Sequence, residues 1–326
     1  MENLKLSIIM PEYNEGKQIK KIIDKFISLH YENYELIIVD DGSTDCSSEI
    51  LNEYSKKHNF IKIIHQKNQG CVFARKTGIA KAVGEFITFV DADDMVDENY
   101  FINFERAICN DADFYLLNNK LINPFKDELY IEKDFFNDGY IEKKLVERWV
   151  LTNKAGAVWD KIYKTSIIKA AVENLNLKIV FGDDIFINTV YLRNVDKIYC
   201  QNSSSYIHNR NSSTSVCKQY TFKKLEEIDV LASYILKNYD FKDDDLKNLF
   251  WSIVVYNYLE TIEKLLRSNE KQDIYTCMNS LPSYKMLNED YKPHGLKNKV
   301  YYYVLVNKME KLMRVIFKIK NGESKI

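Results

Sequence analysis

At 326 residues the chain is long for one minimal domain and suits a large α/β domain with a smaller appendage. Its 46 Lys and Arg balance 47 Asp and Glu, and a net charge of −1 excludes any global attraction for nucleic acid. The opening apolar run is too short for a signal peptide, no run reaches the roughly 18 apolar residues of a transmembrane helix, and the six scattered cysteines lack a CxxC; a cytoplasmic protein with reduced thiols is expected.

Leu4 to Met10 is an apolar run without helical spacing, which predicts a buried strand. Ile19, Ile22, Ile23, Phe26 and Ile27 then fall on one helix face. Tyr34 to Val39 predicts a second strand, and Ser43, Thr44 and Asp45 supply cap chemistry for a helix carrying Ile50, Leu51 and Tyr54 inward. A third strand follows over Phe60 to Ile64, a helix over Val72 to Val83, and a fourth strand over Glu85 to Val90 that ends in Asp91-Ala-Asp-Asp. Such alternation predicts an α/β fold, a mostly parallel sheet with helices on both faces. Beyond it, a helix (Glu98 to Asn110) and a strand (Phe114 to Leu117) are readable. Asn123 to Tyr140 reads as irregular and Ser203 to Ser215 as a Ser/Asn-rich loop. From Tyr220 the pattern is helical, so a catalytic domain over 1–215 and a helical C-terminal region over 216–326 are expected.

Ligands of such sheets bind beyond the carboxyl ends of the strands. Pro11 to Asn14, Asp40 with Asp41, and Asp91 to Asp94 all fall there. Asp91 and Asp93, at i and i+2 on a strand end, can face one way and offer hard oxygen ligands to Mg²⁺ or Mn²⁺. On that motif alone, a solvated acidic turn stays open beside the metal reading.

SIIMPEYNEGKQI (Ser7 to Ile19), ELIIVDDGSTD (Glu35 to Asp45), NQGCVFARKTGI (Asn68 to Ile79) and GEFITFVDADD (Gly84 to Asp94) resemble, in order and spacing, four segments of the family-2 glycosyltransferases. The resemblance implies a GT-A-type nucleotide-sugar fold. It places Pro11 against the nucleotide base, Asp41 as the acceptor of a hydrogen bond from that base, and Arg75 near the base or the diphosphate. It places Asp91 on the ribose or metal side and Asp93 as a metal ligand. Lys76 stands where the family usually has Asn, and Glu12 where it has a small or apolar residue.

Further on the likeness is looser. AVWDKIYK (Ala157 to Lys164) resembles a weaker segment, in which Lys161 faces a phosphate or the acceptor, or is a salt-bridged surface lysine beside a buried Trp159. FGDDIFIN (Phe181 to Asn188) resembles the family's G-E-D-x-x-F-N and puts Asp184 where the family keeps its general base, with a helix N-cap as the plainer alternative. SYIHNRNSSTS (Ser205 to Ser215) gives Arg210 as a diphosphate clamp, since guanidinium matches phosphate geometry. There His208 is either a further metal ligand or an ordinary loop residue.

The resemblance thus implies an inverting enzyme that moves a hexose or N-acetylhexosamine, most simply from a UDP-sugar, to a hydroxyl on a glycan, a lipid-linked saccharide or a glycoprotein. A nucleotidyltransferase is disfavoured because PEYNEGKQI holds one Gly and cannot cradle a triphosphate; a non-catalytic binding module is expected to have lost its acids. Over 297–320, Val304, Leu305, Met309, Leu312, Met313 and Ile316 recur at helical spacing amid Lys and Arg. Such a basic amphipathic helix suits an anionic membrane surface, a twin subunit or its own domain.

Overall fold

The computed structural model describes residues 4–122, 129–131, 136–173, 181–209, 220–241, 243–267 and 274–320. The chain divides into two compact units, one of residues 1–178 and 183–213, the other of 179–182 and 214–326. The expected boundary near residue 216 falls outside the described residues.

In the first unit, β1 (Leu6–Glu12), β2 (Tyr34–Asp40), β3 (Ile61–His65) and β4 (Phe86–Phe89) pair in parallel in the order β3-β2-β1-β4. Period-two alternation sends Leu6, Ile8, Met10, Leu36 and Ile38 into one core with Ile19, Ile22, Ile23 and Phe26 of α1 (Ile19–Ser28). Ile9 points the other way, towards α3 (Cys71–Lys81). Helices on both faces explain why these strands are apolar runs rather than alternating ones. The connections run through α1, α2 (Ser47–Lys57) and α3, the last crossing back from β3 to β4 on the far side of β1, and parallel pairing brings Glu12, Asp40 and the residue after Val90 to one edge.

The sheet then continues past β4 with strands that are far apart in sequence. β9 (Lys161–Lys164) inserts antiparallel between β4 and β6 (Phe114–Ile122), and β10 (Ile198–His208) lies beyond β6. The long ladders are parallel and the antiparallel ones short, so the sheet is mostly parallel, as expected. Two expectations change. Ser203 to His208, read as loop, is the second half of β10, paired to β6 and to β5 (Met95–Val96). Within the stretch read as irregular, β7 (Leu129–Ile131) and β8 (Gly139–Ile141) add short antiparallel edges. The helices α4 (Tyr100–Ile108), α5 (Lys143–Leu151), α6 (Thr165–Val172) and α7 (Asp183–Leu192) complete this unit.

The second unit is helical: α8 (Phe222–Asn238), α9 (Asp244–Arg267), α10 (Ile274–Ser280), α11 (Pro282–Asp290), α12 (Gly295–Val306) and α13 (Glu310–Lys320). Buried Trp251, Val255, Tyr258 and Ile262 make α9 its axis. The tail is not one helix over 297–320. It breaks at Asn307–Met309, where Lys308 has a φ of 54°, and both α12 and α13 pack on α9. Val304, Leu305, Met313 and Phe317 are buried there, while Leu296, Tyr303 and Val315 stay exposed. No helix among the described residues is long and apolar enough to cross a membrane.

Gly78 marks the closest approach of α3 to the sheet. A methyl group there would lie 2.4 Å from Ile9 Cγ2. Ala normally favours a helix over Gly by about 1 kcal/mol, but overpacking costs about 1–3 kcal/mol. Gly78→Ala is expected to lower the urea midpoint of the first unit, and to cost less in an Ile9→Ala background. Equal losses in both backgrounds would show that the contact is not what Gly78 serves.

Candidate active site

The edge where β1, β2 and β4 end is built from carboxylates that hold turns. Asp40 accepts from Ser43 N at 2.8 Å and from the Ser48 hydroxyl, and His65 Nδ1 lies 2.8 Å away. Burial raises the Asp40 pKa, but these hydrogen bonds outweigh it and leave the carboxyl below its ordinary value. Asp41 accepts from Gln69 N (2.9 Å), Gly70 N (2.7 Å) and Gln66 Nε2 (2.7 Å), so it fixes the loop leading into α3. Glu12, where the resembling family has a small or apolar residue, is buried; it accepts from Glu15 N (3.0 Å) and from the Ser43 hydroxyl (2.9 Å). That tether gives the unexpected acid a structural reason. Pro11 lies half-buried in β1 opposite Val39, at the same edge.

Arg75 projects from α3 into a group of acids. Its Nη2 donates to Asp91 Oδ1 at 2.8 Å, and its Nη1 donates to Asp184 Oδ1 at 2.9 Å and to Asp183 Oδ2. The guanidinium is 3% exposed and sits over the Phe89 ring at 5.9 Å. Asp183 and Asp184 open α7, where the helix dipole favours negative charge. Asn188, one turn on, locks α7 in place by donating to Gly156 O (2.6 Å) and accepting from the Tyr163 hydroxyl (2.7 Å). Burial, only partly offset by Arg75, together with the Asp94, Asp184 and Asp93 carboxylates, pushes Asp91 up to about 7.

Asp94, which the sequence marked only as a neighbour of the acidic pair, is the anchor on the other side. It is buried and accepts from the Tyr206 hydroxyl and from Asn209 N at 2.7 Å, with His208 Nδ1 3.2 Å from both oxygens. His208 is therefore at a strand end rather than in a loop, stacked on Trp159 at 5.2 Å. Burial alone would lower its pKa; the Asp94, Asp91 and Asp93 carboxylates outweigh it and raise it. Lys161 donates to Asp160 Oδ1 and to Ala157 O, so it is salt-bridged, but it is buried rather than at the surface, and Trp159 is half-buried. Trp159, Tyr206 and Asp94 went unmarked as site residues; the i, i+2 placement of Tyr206 and His208 was the available signal, hidden by the Ser/Asn composition around it. Arg210 lies outside the described residues.

Asp91, Asp93, Asp94, Asp183 and Asp184 thus gather near Arg75 and the loop that Asp41 holds, in the α/β setting that the motifs implied. A profile of the family "Glycosyl transferase family 2" matches residues 7–196. The chain belongs to that family. Glycosyltransferase GlyA of Streptococcus pneumoniae is 32% identical over 65% of this chain and 31% of its own length. The putative glycosyltransferase EpsH of Bacillus subtilis is 34% identical over 52% and 50%. The cholesterol galactosyltransferase of Borreliella burgdorferi is 28% identical over 58% and 56%. The chain spans between 31% and 56% of these relatives' lengths. The same fold is found in S. aureus TarS 1-349 crystallised with UDP-GlcNAc (TM-score 0.73, 18% identity, 98% of this chain and 92% of that one). It is found more distantly in the mannosyltransferase PcManGT of Pyrobaculum calidifontis with GDP-Man and Mn²⁺ (TM-score 0.52, 13% identity, 99% and 88%).

The donor chemistry of this family-2 site fits a divalent cation. Asp91 and Asp93 are hard oxygen donors, and the five carboxylates exceed the charge of Arg75 and His208. Among the described residues, no His, Cys, Asp and Glu side chains stand ready in a metal-holding group of three, because Asp91 is turned to Arg75 and Asp94 to His208.

Asp41→Asn keeps the shape but turns an acceptor into an N–H donor facing backbone amides. A loss of about 1–3 kcal/mol is expected from the unsatisfied groups, read by denaturant unfolding. Faster hydrogen exchange at Gln69 and Gly70 should accompany it; unchanged exchange there would contradict the tether.

Proposed function

We propose that the chain is an inverting, metal-dependent glycosyltransferase that moves a hexose or N-acetylhexosamine from a UDP-sugar to an acceptor hydroxyl. The observation that carries this reading is the Arg75 cluster: one guanidinium holds Asp91 at 2.8 Å and Asp184 at 2.9 Å, so a donor-side carboxylate and a candidate base share one site. Family membership and the UDP-GlcNAc complex of the TarS fold relative support the donor class.

In this reading Pro11 lies along the base and Asp41 shapes the loop that meets it. Asp91 and Asp93 would hold Mn²⁺ or Mg²⁺, with His208 as a further ligand once freed from Asp94. Bound there, the cation would supply charge neutralisation for the departing diphosphate. Arg210 is assigned to the diphosphate by resemblance alone. Asp184 takes the proton of the acceptor hydroxyl as its oxygen attacks the anomeric carbon. The bond from that carbon to the diphosphate oxygen breaks with its electron pair leaving on the phosphate. One displacement inverts the centre and needs no enzyme nucleophile.

Residues 1–215 would then form the catalytic domain, and 216–326 the part that meets a glycan, lipid-linked or protein acceptor, a membrane surface or a second copy. Val304, Leu305 and Met313 of the tail are buried where α12 and α13 pack on α9, which favours completion of its own unit, while Met309 stays exposed. No observation favours a nucleotidyltransferase or a non-catalytic module.

A positioned base contributes about 10²–10⁴ in rate. Asp184→Asn is expected to lower turnover by that order while UDP binding, followed by calorimetry, stays nearly unchanged; near-normal turnover would move the base elsewhere, first to Asp183. Asp93→Ala should abolish metal-stimulated UDP-sugar turnover, and full activity of the parent enzyme in EDTA would defeat the metal assignment. Tighter binding of GDP than UDP would overturn the donor.

A further inference from the structure

Resting on the reading of Asp184 as base, we infer that Arg75 is a positioning residue for that base and not a contact to the nucleotide or diphosphate. Family resemblance points Arg75 towards the donor, but its surroundings argue otherwise. Nη1 donates to Asp184 and Asp183, Nη2 donates to Asp91, and the side chain is 3% exposed. Nε is buried too, with no hydrogen-bond partner. A donor phosphate could reach this guanidinium only by displacing a carboxylate, which would leave that carboxylate half-buried and unpaired.

The three acids come from distant places. Asp91 follows β4, Asp183 and Asp184 begin α7, and Arg75 stands on α3. A planar fork with fixed donors can hold two elements at one spacing and angle, whereas a lysine ammonium is a compact point charge that cannot. The arrangement therefore sets where the Asp184 carboxylate sits relative to the strand end that carries Asp91. A catalytic group displaced by about 1 Å can lose about 10²-fold in rate. Arg75 thus acts on turnover through Asp184, with little effect on donor affinity.

The test is a cycle of Arg75→Lys, Asp184→Asn and the double variant, each measured for turnover at saturating UDP-sugar and acceptor and for UDP affinity by calorimetry in EDTA, where the metal role of Asp91, which Arg75 also holds, is silent. Arg75→Lys is expected to lower saturated turnover about 10- to 100-fold and to shift UDP affinity less than threefold. In the double variant, little should be lost beyond Asp184→Asn alone. UDP affinity falling as steeply as turnover would make Arg75 a donor contact and overturn the inference. So would losses that multiply in the double variant. Near-normal turnover of Asp184→Asn would instead sink the base reading, and this inference with it. Should Arg75→Lys fail to fold, the same cycle is run in an Asp183→Asn background, where one carboxylate fewer needs a counter-charge; the expected and the overturning patterns are unchanged.

Discussion

A guanidinium that is 3% exposed must be matched by charge, because the effective penalty for burying an ion is several kcal/mol. Arg75 meets that demand by drawing in Asp91, Asp183 and Asp184. The consequence is geometric. α3, the end of β4 and the start of α7 are joined at one point, although Arg75 and Asp184 are 109 positions apart in sequence. Everything that makes the edge of the sheet a site, rather than a row of strand ends, depends on that junction.

Around it the acids divide into two kinds. Asp40, Asp41, Glu12 and Asp94 have their oxygens taken by hydroxyls, backbone amides or an imidazole, and they hold turns. Asp91 and Asp184 bond to a single cation and keep partly exposed oxygens. Type and sequence position do not separate Asp91 from Asp94, three residues on. What separates them is whether the nearest donors are parts of the fold, which satisfy a carboxylate permanently, or a lone buried arginine, which leaves it short of positive charge.

The same distinction explains what the sequence could reveal. The apolar runs of β1, β2 and β4 were readable because burial on both faces leaves no room for polar residues, and parallel pairing followed from the helices between them. The acidic pair after β4 was readable because it interrupts such a run. β10 was not, since QNSSSYIH carries Ser and Asn where a strand usually carries branched apolar residues. Its side chains serve particular partners instead: Gln201 donates to Asn103 O, and Tyr206 and His208 reach Asp94. The antiparallel insertion of β9 between β4 and β6 was hidden for a different reason. Nothing local in KIYK encodes a partner some eighty residues upstream.

The acidic surplus is the remaining clue to what the site is for. Five carboxylates stand around one arginine and one histidine; burial, and after it repulsion from Asp94, Asp184 and Asp93, drives Asp91 up to about 7. A fold selected for stability alone would have fewer acids there, because like charges in a poorly solvated place are costly. Residues that break such a rule without a local gain tend to stand at functional sites. In the proposed reading, a cation brought in with a diphosphate would relieve the repulsion, and only while the donor is present. Under that reading, the acidic surplus is a reason for a cation and donor to bind together.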